Sequence, residues 1–541
     1  MYLKRVRFRT WPLIIGPVCE KFLSVMKEPE EIVLSRTESL CPECLRRIPA
    51  RRVARNGNVY MDKRCPDHGE FRTIIWRGLP DYTAWGADRR PPERIDAGMP
   101  VDRGCPFDCG LCTGHLRSSC CVLMDVTDRC DLECPVCFAG SAAGPGSTGS
   151  TGVGGGHADP GTDAPWTADP SIPDLEKRLR SLFRQAGPVN LQLSGGEPGM
   201  RDDLPEIIAM AKAIGFHFIQ MNTNGLRLAA DPGYAGRCAG TGLDCVFLQF
   251  DGLDDDVYRR VRGRPLLEKK LEAIDACEKA GLGVVLVPTL VPEVNVASIG
   301  DLISFAVNRM PVIRGVHFQP ISYFGRYPAP PRDENRLTIP DILRAIETQT
   351  GGMMKTEDFH SVPNENPWCS FRGTFTMEEN GIVRSWSGAD TDSCCCGKPA
   401  PSEPTRRARD FIARQWSAAE RPAGFGVARK NTRSRGGSAI EGTLGLGGSA
   451  GGGTAVEDSF DRFLRSVRTR TLAVSGMAFQ DAWNIDIERL RECPLHVIAP
   501  DSRIVTFCAY NLTSRHGMAL YRNAENGRPP GIGKAHAQDT A

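Results

Sequence analysis

Three cysteines stand in the spacing C-x3-C-x2-C at Cys130, Cys134 and Cys137. Three thiolates on one short loop can bind three irons of a 4Fe–4S cube, and the fourth iron is then left without a protein ligand. An apolar run at residues 121–126 comes just before the motif, so we expect the loop to follow a buried strand. A zinc loop or a group of buried thiols is the alternative for this spacing.

An iron with an open position could chelate the amino and carboxylate groups of S-adenosylmethionine (SAM), and electron transfer from the cluster would then yield a 5′-deoxyadenosyl radical. One strand later, two glycines would let the backbone approach a ligand, and the adjacent carboxylate of Glu197 could accept from the SAM ammonium group. Polar residues end the following two strands, where ordinary polar turns are the alternative. The predicted SAM-binding residues are Ser194, Gly195, Gly196, Glu197, Thr223, Asn224 and Gln249.

The same cysteine spacing occurs once more, just upstream, at Cys105, Cys109 and Cys112. A fourth ligand would close this copy into an auxiliary 4Fe–4S cluster, and we favour Cys120 for that position. The next residue, Cys121, begins the apolar strand and is expected to pack as a small hydrophobe. The alternative is that this upstream copy is the open one and itself binds SAM.

A compact module near the N-terminus has the pattern C-x2-C…C-x2-H, formed by Cys41, Cys44, Cys65 and His68. Three sulfurs and one nitrogen suit tetrahedral Zn²⁺, and a mononuclear iron is the alternative. Because all four positions would be filled by protein, we expect a structural site.

The remaining cysteines have no diagnostic spacing. Cys369, Cys493 and Cys508, together with a triplet at residues 394–396, could supply ligands for a further cluster. Three others, Cys238, Cys245 and Cys277, lie within predicted core elements.

Strands and helices alternate from about residue 172 to 320, which predicts a parallel sheet with active-site groups at the carboxyl ends of its strands. Six candidate strands favour a partial β/α barrel over a complete one. They are predicted at 121–126, 189–193, 216–221, 245–250, 284–290 and 315–319. The expected segments are a metal-binding module at 36–80, the barrel at 100–330 with a flexible insertion at 141–170, a post-barrel extension at 335–421, a Gly/Ser-rich linker at 422–454 and a C-terminal extension at 455–525.

The 541-residue chain has 67 basic and 65 acidic side chains, so its net charge of +2 gives no electrostatic case for a nucleic-acid partner. The apolar run at residues 11–18 is too short to span a membrane, and no later run reaches the necessary length. The chain has 21 cysteines, and nothing in it signals secretion. We therefore expect a reduced, cytoplasmic protein, in which clustered cysteines bind metal rather than pair in disulfides.

Together these motifs resemble one branch of the radical SAM superfamily, which contains archaeal tetraether lipid synthases and 7,8-dihydro-6-hydroxymethylpterin dimethyltransferases. The matching segments are 40–44, 63–70, 104–112, 125–139, 477–484 and 505–511. The resemblance implies an α/β fold built on a partial (β/α)6 radical SAM barrel, with an N-terminal rubredoxin- or zinc-ribbon-like module and a C-terminal α+β extension. It also implies several iron–sulfur clusters and an external reductase of the flavodoxin or ferredoxin type.

Activities in that branch modify unactivated carbons. The leading expectation is carbon–carbon bond formation between lipid chains, with a cytoplasmic or peripheral membrane position, and the alternative is methylation of a pterin. An iron–sulfur electron-transfer or metal-binding scaffold is the alternative of another class. Members of the branch have Cys and His where this chain has Asn364 and Asn366, so the post-barrel cluster departs from their pattern.

Overall fold

The computed structural model describes residues 31–87, 89, 99–140, 169–378, 383–385, 403–418 and 469–522. The linker predicted at 422–454, residues 141–168 of the predicted insertion and the cysteine triplet at 394–396 lie outside the described residues.

The N-terminal module is a four-stranded antiparallel meander. Its strands are β1 (Ile32–Leu40), β2 (Arg47–Arg55), β3 (Asn58–Cys65) and β4 (Gly69–Arg77), followed by the short helix α1 (Tyr82–Trp85). Asn56 and Gly57 form the two-residue turn between β2 and β3, and both have positive φ angles, 52° and 74°. That conformation matches the twist of the flanking strands and is the one that Asn-Gly adopts most readily. The other two connections hold Cys41, Cys44 and His68, and Cys65 is the last residue of β3.

The central sheet contains the six predicted strands, parallel and in chain order. They are β5 (Cys121–Thr127), β6 (Asn190–Gly195), β7 (Ile219–Thr223), β8 (Cys245–Gln249), β9 (Gly283–Val287) with its short continuation β10 (Thr289–Leu290), and β11 (Ile313–Pro320). The helices of this region are α2 (Ile172–Ala186), α3 (Leu204–Ile214), α4 (Leu226–Ala230), α5 (Tyr234–Thr241), α6 (Asp255–Arg262), α7 (Leu267–Lys279), α8 (Ile299–Asn308) and α9 (Ile339–Gln349). The strand predicted at 284–290 is divided at Pro288, because proline has no N–H for the ladder.

The post-barrel and C-terminal extensions join this sheet at both edges. Their elements are β12 (Ser370–Met377), β13 (Val383–Ser385), α10 (Glu403–Trp416), β14 (Thr471–Met477), α11 (Ile487–Arg491), β15 (Leu495–Ile498), β16 (Ile504–Thr506) and α12 (Phe507–Asn511). Strand β14 pairs in parallel with β11, and β15 pairs in parallel with β5. The described part of the barrel sheet therefore has eight consecutive parallel strands, in the order β15-β5-β6-β7-β8-β9-β11-β14.

Alternate residues of the barrel strands have opposite environments. On β6, Leu191 and Leu193 belong to the main hydrophobic core, whereas Gln192 lines a cavity inside the barrel. On β7, Met221 belongs to that core and Gln220 lines the cavity. Because successive side chains of a strand point to opposite faces, the polar residues line the inside of the barrel while the apolar ones join the core.

Buried polar contacts attach the N-terminal module to the C-terminal extension. The guanidinium of Arg52 donates to Oδ2 of Asp486 through Nε at 2.9 Å and Nη2 at 2.6 Å. The amine of Lys63 donates to the carbonyls of Leu40 and Ala482, each at 2.7 Å. No helix among the described residues is long and apolar enough to cross a membrane.

Candidate active site and metal centres

The loop after β5 brings Cys130, Cys134 and Cys137 to one cavity at the carboxyl end of the sheet. The cavity is open to solvent and has an empty volume of about 990 Å³. Six of the seven predicted SAM-binding residues line it, namely Gly195, Gly196, Glu197, Thr223, Asn224 and Gln249. Ser194 does not line it, and its buried hydroxyl accepts from Nδ2 of Asn222 at 3.4 Å. Three thiols beside polar strand ends form a donor set that fits an open iron–sulfur cluster with SAM.

Two glycines at the end of β6 hold the cysteine loop against the sheet. A Cβ on Gly195 would lie 2.1 Å from the Thr127 carbonyl oxygen, and one on Gly196 would lie 2.2 Å from that of Arg129. The N–H of Gly196 donates to Thr127 O and that of Glu197 to Arg129 O, both at 2.8 Å. We expected these glycines to let the backbone approach a ligand. In the structure they let it approach the loop that holds the cysteines.

The opposite side of the loop is held by the segment after β11. Cys137 and Arg326 exchange two backbone hydrogen bonds, at 2.9 and 2.8 Å, and Nε of Arg326 donates to Cys134 O at 2.7 Å. Gly325 has a φ of +67°, and a Cβ there would lie 2.4 Å from Cys137 O. A larger residue would push the loop away from the cavity.

The Glu197 carboxylate is fully engaged by neighbouring donors. Oε1 accepts from Gly199 N at 2.8 Å and from the Thr223 hydroxyl at 2.6 Å, and Oε2 accepts from Asn224 N at 2.6 Å. Burial raises the pKa of Glu197 to about 7, although these hydrogen bonds oppose the shift. We expected the Glu197 carboxylate to accept from SAM. In the structure its hydrogen bonds connect the end of β6 to the end of β7.

Two cations close to the cavity were not predicted. Arg262 donates to both oxygens of Asp251 at 2.7 Å and, through Nη1, to Val136 O at 3.0 Å, so it supports the cysteine loop. Lys270 donates to Asn224 O at 2.5 Å and lies 3.4 Å from Oε1 of Gln249. Burial lowers the pKa of Lys270 to about 8. Asp251, two residues after the end of β8, is the polar residue in the sequence that could have indicated the Arg262–Asp251 pair.

The upstream cysteines occupy a different place. Cys105, Cys109 and Cys112 line a separate cavity of about 330 Å³, together with two histidines. Cys120 is not among the residues that line it. Cys120 and Cys121 line the interior of the barrel instead, and burial raises the pKa of the Cys120 thiol to about 12.

The four residues of the N-terminal module converge as predicted. Their ligand atoms lie within 4.8 Å of one another, at Cys41, Cys44, Cys65 and His68. Nδ1 of His68 is 3.6 Å from Sγ of Cys41 and 3.4 Å from Sγ of Cys65, and the sulfurs of Cys44 and Cys65 are 4.0 Å apart. Ligands about 2.0–2.3 Å from a tetrahedral Zn²⁺ would be separated by similar distances, so the donor set fits this metal.

Three cysteines of the post-barrel and C-terminal segments also come together. Burial raises the pKa of Cys493 well above its ordinary value, and the neighbouring Cys508 and Cys369 thiols add to the shift. The guanidinium of Arg489 donates to Sγ of Cys369, with distances of 3.4 Å from Nε and 3.3 Å from Nη2. Asn366, at a position where the related branch has His, donates to Oε2 of Glu492 at 3.1 Å.

A large cavity occupies the interior of the barrel and has an empty volume of about 1260 Å³. It borders the cavity lined by Cys130, Cys134 and Cys137, since the two share four lining residues, namely Phe138, Asn222, Gln319 and Phe479. Its polar lining residues include Asn190, Gln192, Gln220, Asn222, His317, Gln319, Glu365, Arg372 and Ser475. Near helix α10, Trp416 packs on Phe247 with ring centroids 4.8 Å apart.

The chain matches two protein-family models and a well-covered relative. Residues 124–306 match the model of the radical SAM superfamily, and residues 33–77 match the HMPTM N-terminal zinc ribbon domain. The chain is also 32% identical over 508 residues to the 7,8-dihydro-6-hydroxymethylpterin dimethyltransferase of Methanocaldococcus jannaschii, an alignment that covers 89% of this chain and 94% of the relative. The chain belongs to the radical SAM superfamily, in the family of that relative.

Membership in the radical SAM superfamily makes this protein an iron–sulfur enzyme that uses SAM and a 4Fe–4S cluster. The matched radical SAM segment includes Cys130, Cys134 and Cys137 and begins after Cys112. The alternative of a non-catalytic electron-transfer or metal-binding scaffold is therefore wrong. The name of this relative matches the pterin alternative, whereas these comparisons do not support the leading lipid expectation.

Other radical SAM relatives match over shorter segments. A probable GTP 3′,8-cyclase of Methanothermobacter thermautotrophicus is 29% identical over 201 residues, which cover 37% of this chain and 58% of the relative. Among solved structures, Streptococcus suis SuiB matches 44% of this chain and 47% of its own at 15% identity, with a TM-score of 0.32. The structure of anSMEcpe with AdoMet and a peptide matches 43% of this chain and 62% of its own at 14% identity, with a TM-score of 0.29.

Proposed function

We propose that this radical SAM enzyme methylates a carbon of a pterin or of a closely similar bicyclic nitrogen heterocycle. The observation that carries the proposal is the near-complete alignment, at 32% identity, with a relative named as a dihydropterin dimethyltransferase. The cavity inside the barrel supports it, since this cavity adjoins the SAM site and combines aromatic walls with amide side chains.

Cys130, Cys134 and Cys137 would hold the cluster, and the residues of the adjoining cavity would contact SAM. When bound, the cluster and SAM supply a 5′-deoxyadenosyl radical that can remove hydrogen from an unreactive carbon. Arg262 and Arg326 would keep the loop carbonyls in place, because they donate to Val136 O and Cys134 O. Asn222 and Gln319 lie where the two cavities meet and would position the substrate carbon near SAM.

Amide side chains suit the edge of a pterin, which presents N–H donors next to ring-nitrogen and carbonyl acceptors. Nε2 of Gln220 donates to Oε1 of Gln192 at 2.9 Å, and Oε1 of Gln220 has no hydrogen-bond partner among the described residues. A buried amide oxygen without a partner costs about 1–3 kcal/mol. A substrate N–H would satisfy it.

Three further metal centres are part of the proposal. Cys105, Cys109 and Cys112 would hold an auxiliary 4Fe–4S cluster. The four ligands of the N-terminal ribbon would hold zinc, with mononuclear iron as the alternative. Cys369, Cys493 and Cys508 would bind a third cluster, and a reductase of the flavodoxin or ferredoxin type would supply electrons.

One observation favours the lipid reaction as a second candidate. The cavity inside the barrel has an extended apolar wall as well as its amides, formed by Leu123, Phe247, Val362, Phe371, Ile412 and Trp416 among others. An alkyl chain could lie along this wall, and carbon–carbon coupling between such chains would then replace methylation.

The test is anaerobic reconstitution of the full chain with iron and sulfide, followed by incubation with dithionite, SAM, a one-carbon donor and 7,8-dihydro-6-hydroxymethylpterin. We expect 5′-deoxyadenosine together with a pterin that has gained one or two methyl groups by mass spectrometry. A variant with Cys130, Cys134 and Cys137 all changed to Ala should give neither product. A parallel incubation replaces the pterin with an ether lipid. Coupled lipid chains there, together with an unchanged pterin in the first incubation, would overturn the pterin assignment in favour of the second candidate.

A further inference from the structure

The cavity lined by Cys105, Cys109 and Cys112 contains two histidines that the sequence did not single out. His115 lies in the loop that follows Cys112, and His496 lies on β15. The inference drawn from them rests on the auxiliary cluster included in the proposed function. A closed 4Fe–4S cluster needs four protein ligands, and three thiols supply only three.

The fourth ligand expected from the sequence lies elsewhere. Cys120 borders the cavity inside the barrel, and its N–H donates to Pro494 O at 2.8 Å, which fixes this residue beside the start of β15. The described residues that line the auxiliary cavity include no other thiol than the three of the motif. Nitrogen ligands are present there instead.

His496 reaches the auxiliary cavity from the sheet edge. It is directly opposite Thr506 in the β15–β16 pair, and both residues line the cavity. Cross-strand partners project to the same face of a sheet, so the strand pairing fixes where the imidazole lies. The ring is completely buried.

One nitrogen of this buried ring is unsatisfied. Nε2 of His496 is 3.2 Å from Nε2 of His115, which in turn is 3.0 Å from the carbonyl oxygen of Cys493. Nδ1 of His496 makes no hydrogen bond of acceptable geometry among the described residues, and the Pro494 backbone is the neighbouring polar group of the ring. An iron atom in the cavity would give this nitrogen the partner that it lacks.

We propose that His496 is the fourth ligand of the auxiliary cluster, bound through Nδ1. A neutral imidazole in place of a thiolate leaves the cluster less negative, and histidine ligation raises the potential of iron–sulfur centres. The auxiliary cluster would therefore accept an electron more readily than a four-cysteine cluster at the same place.

The test uses the full chain, reconstituted, reduced and studied by pulsed EPR with and without ¹⁵N-labelled histidine. We expect a strong coupling to a histidine nitrogen in the natural sequence and its loss in His496→Cys, which should keep the full iron content and show a lower reduction potential. His496→Ala should lose iron from this cluster and give the EPR signal of a 3Fe–4S centre after oxidation.

Cys120→Ala is the matched control, because it removes the competing ligand, and it should change neither the iron content nor the nitrogen coupling. A coupling that persists in His496→Cys, or loss of auxiliary iron in Cys120→Ala, would overturn the assignment. A variant that fails to fold would be recognised by circular dichroism, and the His496→Cys spectrum would still decide. The readouts do not depend on any pterin product, so failure of the methylation assay leaves them intact.

Discussion

Asn224, at the end of β7, donates through Nδ2 to Oδ1 of Asp131 at 2.6 Å. Asp131 follows Cys130 directly, so this one contact joins a barrel strand end to the cluster loop. The backbone carbonyl of Asn224 accepts from the buried amine of Lys270 at 2.5 Å, which anchors the same turn from helix α7. The strand end predicted to contact SAM therefore also orients the cysteines.

Asn224→Ala should weaken retention of the SAM-site cluster. The change removes a hydrogen bond to a carboxylate and should cost about 1.5–3 kcal/mol of unfolding free energy. Iron content after gel filtration and urea unfolding of the apoprotein measure the two effects. Arg180→Ala, which removes an exposed ion pair with Glu176 on helix α2, should change neither.

Cys65→Ala should remove one metal ion from the N-terminal module and lower stability by several kcal/mol, because metal binding free energy in such modules is folding free energy. Metal analysis and thermal unfolding check this expectation. Cys277→Ala, which deletes a buried thiol from helix α7, is the control and should leave the metal content unchanged. Equal metal loss in both variants would contradict the assigned ligand set.

His317→Gln should flatten the dependence of apoprotein stability on pH between about pH 6.5 and about pH 4. Burial lowers the pKa of His317 to about 4, so the unfolded chain binds its proton first as the pH falls. Stability therefore falls with pH across this window, and His317 contributes up to about 1.4 kcal/mol per pH unit. Buried His115 and His496 act in the same direction, so the slope should decrease without vanishing.

Urea unfolding at a series of pH values measures that slope. His217→Gln, at an exposed position after helix α3, is the matched control. An unaltered slope in His317→Gln would show that the ring inside the barrel is protonated as readily as in the unfolded chain.

Gln192→Leu should raise the KM for the pterin substrate while SAM cleavage without substrate is unchanged. Loss of one hydrogen bond to a neutral group corresponds to about 0.5–1.5 kcal/mol, or roughly a 2- to 13-fold effect. Steady-state kinetics and 5′-deoxyadenosine formation without substrate separate the two. Gln185→Leu, at the exposed end of helix α2, should affect neither, and a KM that stays constant in Gln192→Leu would place the substrate elsewhere.

The strands and the cluster loop could be predicted because both are local patterns. Apolar runs identify β5 to β11, and the spacing of Cys130, Cys134 and Cys137 identifies a loop that needs no distant partner. The residues that dock this loop, Gly325 and Arg326, lie almost 190 positions away. Nothing in the sequence near them indicates that contact.

Nearness in sequence suggested Cys120 as an auxiliary ligand, whereas the pairing of β15 with β5 supplies His496 from the far end of the chain. Long-range strand pairing of this kind leaves no local trace. The sequence did contain a signal for the cavity inside the barrel. Gln192 and Gln220 each stand between two apolar residues of a strand, and successive side chains of a strand point to opposite faces, so a polar face was indicated.

The last described segment provides β14 and β15, one for each edge of the barrel sheet. During synthesis, the strands between them leave the ribosome well before either edge partner exists. The nascent barrel would thus present two unpaired edges, which is a hazard for aggregation. Delivery of iron and sulfur to the auxiliary site would have to wait until β15 and β16 have left the ribosome, long after the three cysteines of that site were made.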